Sequence, residues 1–161
     1  MAEITNQGNV KISAGAGPGQ LRLDLVGLRG TFTPTLGAIT TDPSVTYSQQ
    51  QGVWARVGPL VFLLVRVDWT AISGGSGDVR IRGLDALPTP DMSIGQILHG
   101  SAIGVAFGTG RTAIWARFPS PGSLQVVAYG SNVSTQTINM THLTSNGSLI
   151  FQGVYLTNAP L

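Results

Sequence analysis

Leu60-Val-Phe-Leu-Leu-Val-Arg-Val-Asp-Trp-Thr-Ala-Ile72 is the stretch on which the fold turns. Side chains alternate across a strand, so Val61, Leu63, Val65, Val67 and Trp69 share one apolar face. On the other face Leu60, Phe62 and Leu64 give way to Arg66, Asp68 and Thr70. One end of this strand is therefore apolar on both sides and needs cover from two directions. A second layer of the same chain, or a neighbouring subunit, must supply it. Gly58-Pro59 makes the turn before the strand, and Gly52-Val-Trp-Ala-Arg-Val57 leads into that turn. Further upstream, Gly30-Thr-Phe-Thr-Pro-Thr-Leu36 reads as an extended Thr-rich entry.

Composition agrees with an all-β chain. In 161 residues there are 22 Gly and 9 Pro, many turns' worth, and good helix formers rarely run together. Only 10% of residues are charged, against about 25% in an average soluble domain. Ser, Thr, Asn and Gln must cover the surface, or subunit contacts must bury much of it. Strands are expected at Val45–Gln49, Val53–Val57, Leu60–Ile72, Val79–Arg82, Ile103–Phe107, Thr112–Phe118, Leu124–Tyr129, Gln136–His142 and Ser148–Thr157. This rhythm of short strands and turns predicts a jelly-roll-like β-sandwich over residues 30–161. The last strand repeats the two-sided pattern, with Leu149, Phe151 and Tyr155 on one face and Ile150, Val154 and Leu156 on the other. Leu87–Met92 reads as a Pro-constrained loop, Ser93–His99 as irregular, and Ser73-Gly-Gly-Ser-Gly77 as a flexible hairpin tip.

Residues 1–29 read as an extended N-terminal arm. Val10 and Ile12, then Leu21, Leu23 and Leu25, alternate with polar residues and give two half-buried strand signals. Ala14-Gly-Ala-Gly-Pro-Gly-Gln20 between them is a hinge that cannot be helix. These five apolar residues are the expected adhesive contacts of the arm.

The search for chemistry returns little. Cysteine is absent, so disulfides and thiolate metal sites are excluded. His99 and His142 belong to no nucleophile or zinc motif and are expected in structural or surface roles. Glu3 is the single Glu, and the Asp residues sit mostly at turns, so paired carboxylates for glycoside hydrolysis are not apparent. No catalytic residue, metal or cofactor is expected. The net charge of +2 comes from cations scattered singly along the chain, with Arg80 and Arg82 the nearest to a pair. Nucleic-acid binding needs clustered cations, so it is not expected. No apolar run is long enough to span a bilayer as a helix, and no export signal is visible. Among the aromatics, Trp54 and Tyr129 are the candidates for stacking on a glycan, while Trp69 is expected inside.

The ordered series Gly30–Leu36, Tyr47-Ser48, Gly52–Val61 and Val79-Arg-Ile-Arg-Gly-Leu84 resembles a β-sandwich module of tailed-phage virion proteins, found at tail-fibre ends and in capsid decoration or head-fibre proteins. The resemblance covers roughly residues 30–155. It departs at Trp54, where Tyr is more familiar, and at Asp85-Ala-Leu-Pro-Thr-Pro90. It implies a homotrimer whose long apolar strands pack about a threefold axis, with Leu60, Phe62, Leu64, Ile150 and Val154 at the interface. A 29-residue arm before the module, instead of a long shaft, points to a capsid decoration (cement) protein on the outer capsid surface, bound to the major capsid protein. The alternative is a receptor-binding tail-fibre or head-fibre domain that touches host-surface glycan.

Overall fold

A computed structural model describes the backbone of residues 4–6, 10–14 and 21–25 and the whole of residues 28–160. In the first part, β1 (Ile4–Asn6), β2 (Val10–Ala14) and β3 (Leu21–Leu25) form an antiparallel three-stranded sheet. Its register pairs Val10 with Leu25, Ile12 with Leu23 and Ala14 with Leu21. The Gly/Pro hinge at 15–20 lies outside the described residues.

Residues 28–160 form a β-sandwich from a single antiparallel sheet that folds over on itself. The first layer runs β4 (Leu28–Phe32), β6 (Thr41–Val57), β7 (Leu60–Ser76), β13 (Leu143–Leu156) and β9 (Ile97–Val105). The second runs β10 (Ala113–Ser120), β11 (Ser123–Gly130), β8 (Val79–Arg82) and β5 (Thr35–Ala38), with β12 (Val133–Thr137) on the flank of β11. Strand β9 belongs to both layers, because it pairs with β13 and, through Ile97–Gly100, with β10. The opposite seam is closed by side chains rather than by a ladder. From β6, the Tyr47 hydroxyl accepts from Leu36 N–H (2.8 Å), Gln50 Nε2 donates to Pro34 O (2.8 Å), and Asp42 Oδ1 accepts from Ala38 N–H (2.8 Å). The open edge of β5 is thus satisfied without a neighbouring strand.

The core lies between the layers. The expected row Val61, Leu63, Val65, Val67 and Trp69 is fully inside and meets Leu149, Phe151 and Tyr155 of β13. Ile114, Ala116, Phe118, Leu124, Val126 and Ile81 face them from the second layer. Phe118 and Tyr155 meet across the layers edge to face, with centroids 5.0 Å apart. Four cross-strand pairs set an aromatic ring directly over a glycine: Trp54 on Gly30, Phe32 on Gly52, Phe151 on Gly100 and Trp69 on Gly147. A methyl group at any of these glycines would lie within 2.4–2.7 Å of the ring. The opening motif is explained by this pairing: Gly30 and Phe32 are the complements of Trp54 and Gly52.

Burial lifts the phenols of Tyr47 and Tyr155 above the usual tyrosine range, the nearby Arg56 guanidinium partly opposing the effect at Tyr155. Tyr155 also donates to Pro88 O (2.8 Å). With the folded pKa raised, this stability is complete below about pH 10, where the unfolded phenol titrates, and is lost as pH rises through the folded value. Urea midpoints are expected to fall above about pH 10, and Tyr155→Phe should flatten that fall.

Four expectations are corrected. Val45–Gln49 and Val53–Val57 are one strand, β6, interrupted by a register shift between Thr46 and Gln49. The extra residue of this bulge moves the inward positions from odd (Val45, Tyr47) to even (Gly52, Trp54, Arg56), so a single period never spans it. Ser73–Gly77 is no hairpin tip, since β7 continues to Ser76 and pairs Gly74 with Pro43. Positive φ at Gly74 (66°) and Gly75 (81°) lets Pro43 lie against the strand there. The expected strand at Ile103–Phe107 is β9 at Ile97–Val105, whose inward Gly100 and Ala102 are too small to give an apolar period. Finally, Gln136–His142 breaks after Thr137, because Asn139 caps a 3₁₀ turn at Met140–His142. Asn139 Oδ1 accepts from Thr141 N–H (3.1 Å), and His142 Nδ1 accepts from Asn139 N–H (3.1 Å), which gives His142 a structural task.

Candidate functional site

The outer face of the first layer carries the unusual chemistry. Ladder register sets its residues in rows that cross the strands: Val57–Leu60–Leu156, Ala55–Phe62–Val154 and Val53–Leu64–Gln152–His99. Nothing in residues 28–160 covers them. Phe62 is 47% exposed, Val154 44%, Leu60 40% and Leu64 37%, while Ile150 is half-buried. All five residues expected at a trimer interface therefore share one face, and the structure adds Val53, Val57 and Leu156 to it. Leu60, Phe62 and Leu64 are not covered by the second layer, which leaves the second side of the strand open within residues 28–160. Val53 and Val57 escaped notice because their face can be assigned only once the bulge in β6 is known; after it, Val53, Ala55 and Val57 alternate outward.

A charged border ends the apolar field. On the same face of β7, Arg66 Nε donates to Asp68 Oδ2 (2.9 Å), and Ser148 Oγ donates to Asp68 Oδ1 (2.6 Å). The hydrogen bond from Arg66, followed by that from Ser148, holds the Asp68 carboxyl below its usual range despite partial burial. Between Phe62, Leu64, His99 and Val154 the face dips into an open depression of about 570 Å³. Contiguous exposed apolar surface of this kind is uncommon on isolated monomers in water.

The remaining sequence candidates lie elsewhere. Trp54 points to the core side, its ring over Gly30, and Tyr129 is half-buried on β11. Trp69 is buried, with Nε1 donating to Thr144 O (3.0 Å). Buried Arg56 donates from Nε to Gly58 O (2.8 Å) and from Nη1 to Pro160 O (2.9 Å), fastening the segment after β13 to β6. Carboxylates are engaged locally: Asp42 with Arg82 (2.6 Å), Asp78 with Gln125 (3.0 Å) and Asp91 with Ser93 (2.9 Å). Among the described residues no group of three or more His, Cys, Asp or Glu could hold a metal ion, and no helix is long and apolar enough to cross a membrane.

A scan against protein-family models gives no match, and a search of curated proteins gives none either. Among solved structures, the chain is similar to the Dettilon tailspike protein (gp208), with a TM-score of 0.63 at 19% identity. The match covers 81% of this chain and 24% of the tailspike, so the chain spans about a quarter of that protein's length. The two share a fold.

Proposed function

We propose that this chain is a homotrimeric structural module of a tailed-phage virion, assembled through the outer face of β6, β7 and β13. The exposed apolar face carries the reading: a field of valine, leucine and phenylalanine at the centre of a sheet is what a subunit interface needs and what a free surface avoids. The fold shared with part of a tailspike supports a virion setting and, of the two possible addresses, the tail apparatus. In that setting the loops would face the host surface. The role is one of assembly and binding, without catalysis.

Capsid decoration is the second reading, and the arm favours it. The antiparallel pairing of β2 with β3, whose sequences alternate apolar and polar residues, suits a strand pair that adheres to a neighbouring shell protein. Binding only to the assembled shell would stabilise that shell by mass action. A density map of the virion tests both addresses at once: density at the tail supports the first, density on the shell the second, and absence from the particle removes the proposal. In a second test, removal of residues 1–27 is expected to abolish attachment to the virion and leave the solution mass of the β-sandwich assembly trimeric. Full attachment by the truncated protein would exclude the arm as the docking element.

A further inference from the structure

The apolar field of the first layer does not stop at β13. Two residues on from the Gln152–His99 pair, the antiparallel register brings Ile97 of β9 alongside Val154. Ile97 is 48% exposed. One crossing row therefore runs Arg29–Ala55–Phe62–Val154–Ile97, from the edge strand β4 to β9. Beyond Ile97 the same face drops into a groove of about 450 Å³, lined by Met92 and Ile94 and, from β10, by Trp115. Met92 and Ile94 are both exposed.

These side chains stand on a fixed support. Asp91 N–H donates to Leu156 O (2.8 Å), and Gln96 Nε2 donates to Asp91 O (2.7 Å) and to Leu156 O (2.9 Å). Gln96 Oε1 in turn accepts from Leu156 N–H. Residues 91–96 are thus pinned to the end of β13, beside the row that ends in Leu156. Apolar side chains held in water on such a support carry a cost that a covering surface removes.

Symmetry decides what kind of surface that is. In a threefold ring each contact is heterologous, one patch of a subunit lying on a different patch of the next. Only side chains on the axis itself meet their own copies. The crossing row supplies two unlike ends: Arg29 and Ala55 at one, Ile97 and the groove at the other. Three ladder steps of about 4.8 Å separate Ala55 from Ile97, roughly 14 Å, with Phe62 and Val154 between them. Charge fits the same pairing. Arg29 is an exposed cation at the first end, and the Asp91 carboxylate lines the groove at the second. Hydrogen bonds from Ser93 Oγ (2.6 Å) and N–H (2.9 Å) keep that carboxylate ionised. Arg117, the cation within the groove, is turned to Gln125, its Nε donating to Oε1 (2.9 Å).

We propose that the groove between residues 91–97 and β10 receives the β4–β6 flank of a second copy of this chain, with Ala55 of one subunit against Ile97 of the next and Arg29 over Asp91. This pairing rests on the trimeric reading and adds to it a second, unlike surface. The chain has no cysteine, so introduced thiols report contacts without background. Full-length Ala55→Cys, Ile97→Cys and the double variant are treated with a short bismaleimide and run on denaturing gels. The double variant is expected to give covalent species of two and three times 16.8 kDa, and each single variant only 16.8 kDa. Single variants that cross-link as well as the double overturn the proposal, because like positions would then be meeting. A double variant that sediments as a trimer and stays uncross-linked overturns it too. Ile97→Asp gives an independent check: association weaker by about tenfold or more is expected, and association as tight as wild type overturns the pairing. A monomeric wild-type chain would remove the assembly reading and this pairing together, whereas a trimeric wild type without the double-only cross-link removes the pairing alone.

Discussion

Phe62→Asp is expected to reduce the particle in solution from three times 16.8 kDa to 16.8 kDa, with the far-UV circular dichroism unchanged. Phe62 lies at the middle of the exposed face, in a row with Ala55 and Val154, and is already 47% exposed in the single chain. A carboxylate there meets water in the monomer and costs the fold little. In the assembly it would be taken out of water in every copy. The cation on the same strand face, Arg66, is already held by Asp68, so no partner is ready for it. An unpaired buried charge costs several kcal/mol per ion, enough to dissolve an interface of ordinary size. Thr70→Asp, on the same strand but past the charged border, should leave the mass trimeric. Sedimentation reads both. A monomeric wild-type chain, or a Phe62→Asp variant that stays trimeric, would remove the interface from this face.

The largest effect on the fold itself is expected at Gly100. A β-carbon there would lie 2.4 Å from the Phe151 ring and 3.0 Å from the Ile150 carbonyl oxygen. Phe151 is fully buried, so its ring has no room to retreat. Gly100→Val should therefore destabilise by about 3 kcal/mol or more, at the upper end of overpacking penalties. At about 2–4 °C per kcal/mol for a chain of this size, the melting temperature should drop by roughly 10 °C. Phe151→Ala should cost about 3–5 kcal/mol for the opposite reason, a cavity. In a Phe151→Leu background the penalty of Gly100→Ala should shrink, because the two positions share one space. Gly30→Val offers the contrast: Trp54 above it is only half-buried and can swing aside. Thermal denaturation of the set would show whether the aromatic-over-glycine pairs act as space-filling units. Equal losses at Gly100 and Gly30 would refute that account.

Where a strand kept one period from end to end, its role was legible. Leu60–Trp69 announced its core row residue by residue, and its opposite face announced a second demand for cover. Legibility failed where the period changed within an element. The bulge near Tyr47 reversed the alternation of β6 and obscured the place of Val53 and Val57 on the exposed apolar face. The first part of strand β9, before Ile103, went unseen because Gly100 and Ala102 point inward without apolar bulk, with the Phe151 ring of β13 over Gly100.

The residue pattern alone made this an all-β chain and turned Leu60, Phe62 and Leu64 away from the core row. Alternation is a local property of an extended backbone and needs no partner to be read. That no element of residues 28–160 lies over those three side chains is set by the packing of the two layers. The second layer packs against Val61, Leu63 and Val65 on the other face, and a sheet has only two sides. Which side the rest of the chain occupies follows from strand order and from β9 turning between the layers, a long-range choice that no local pattern records.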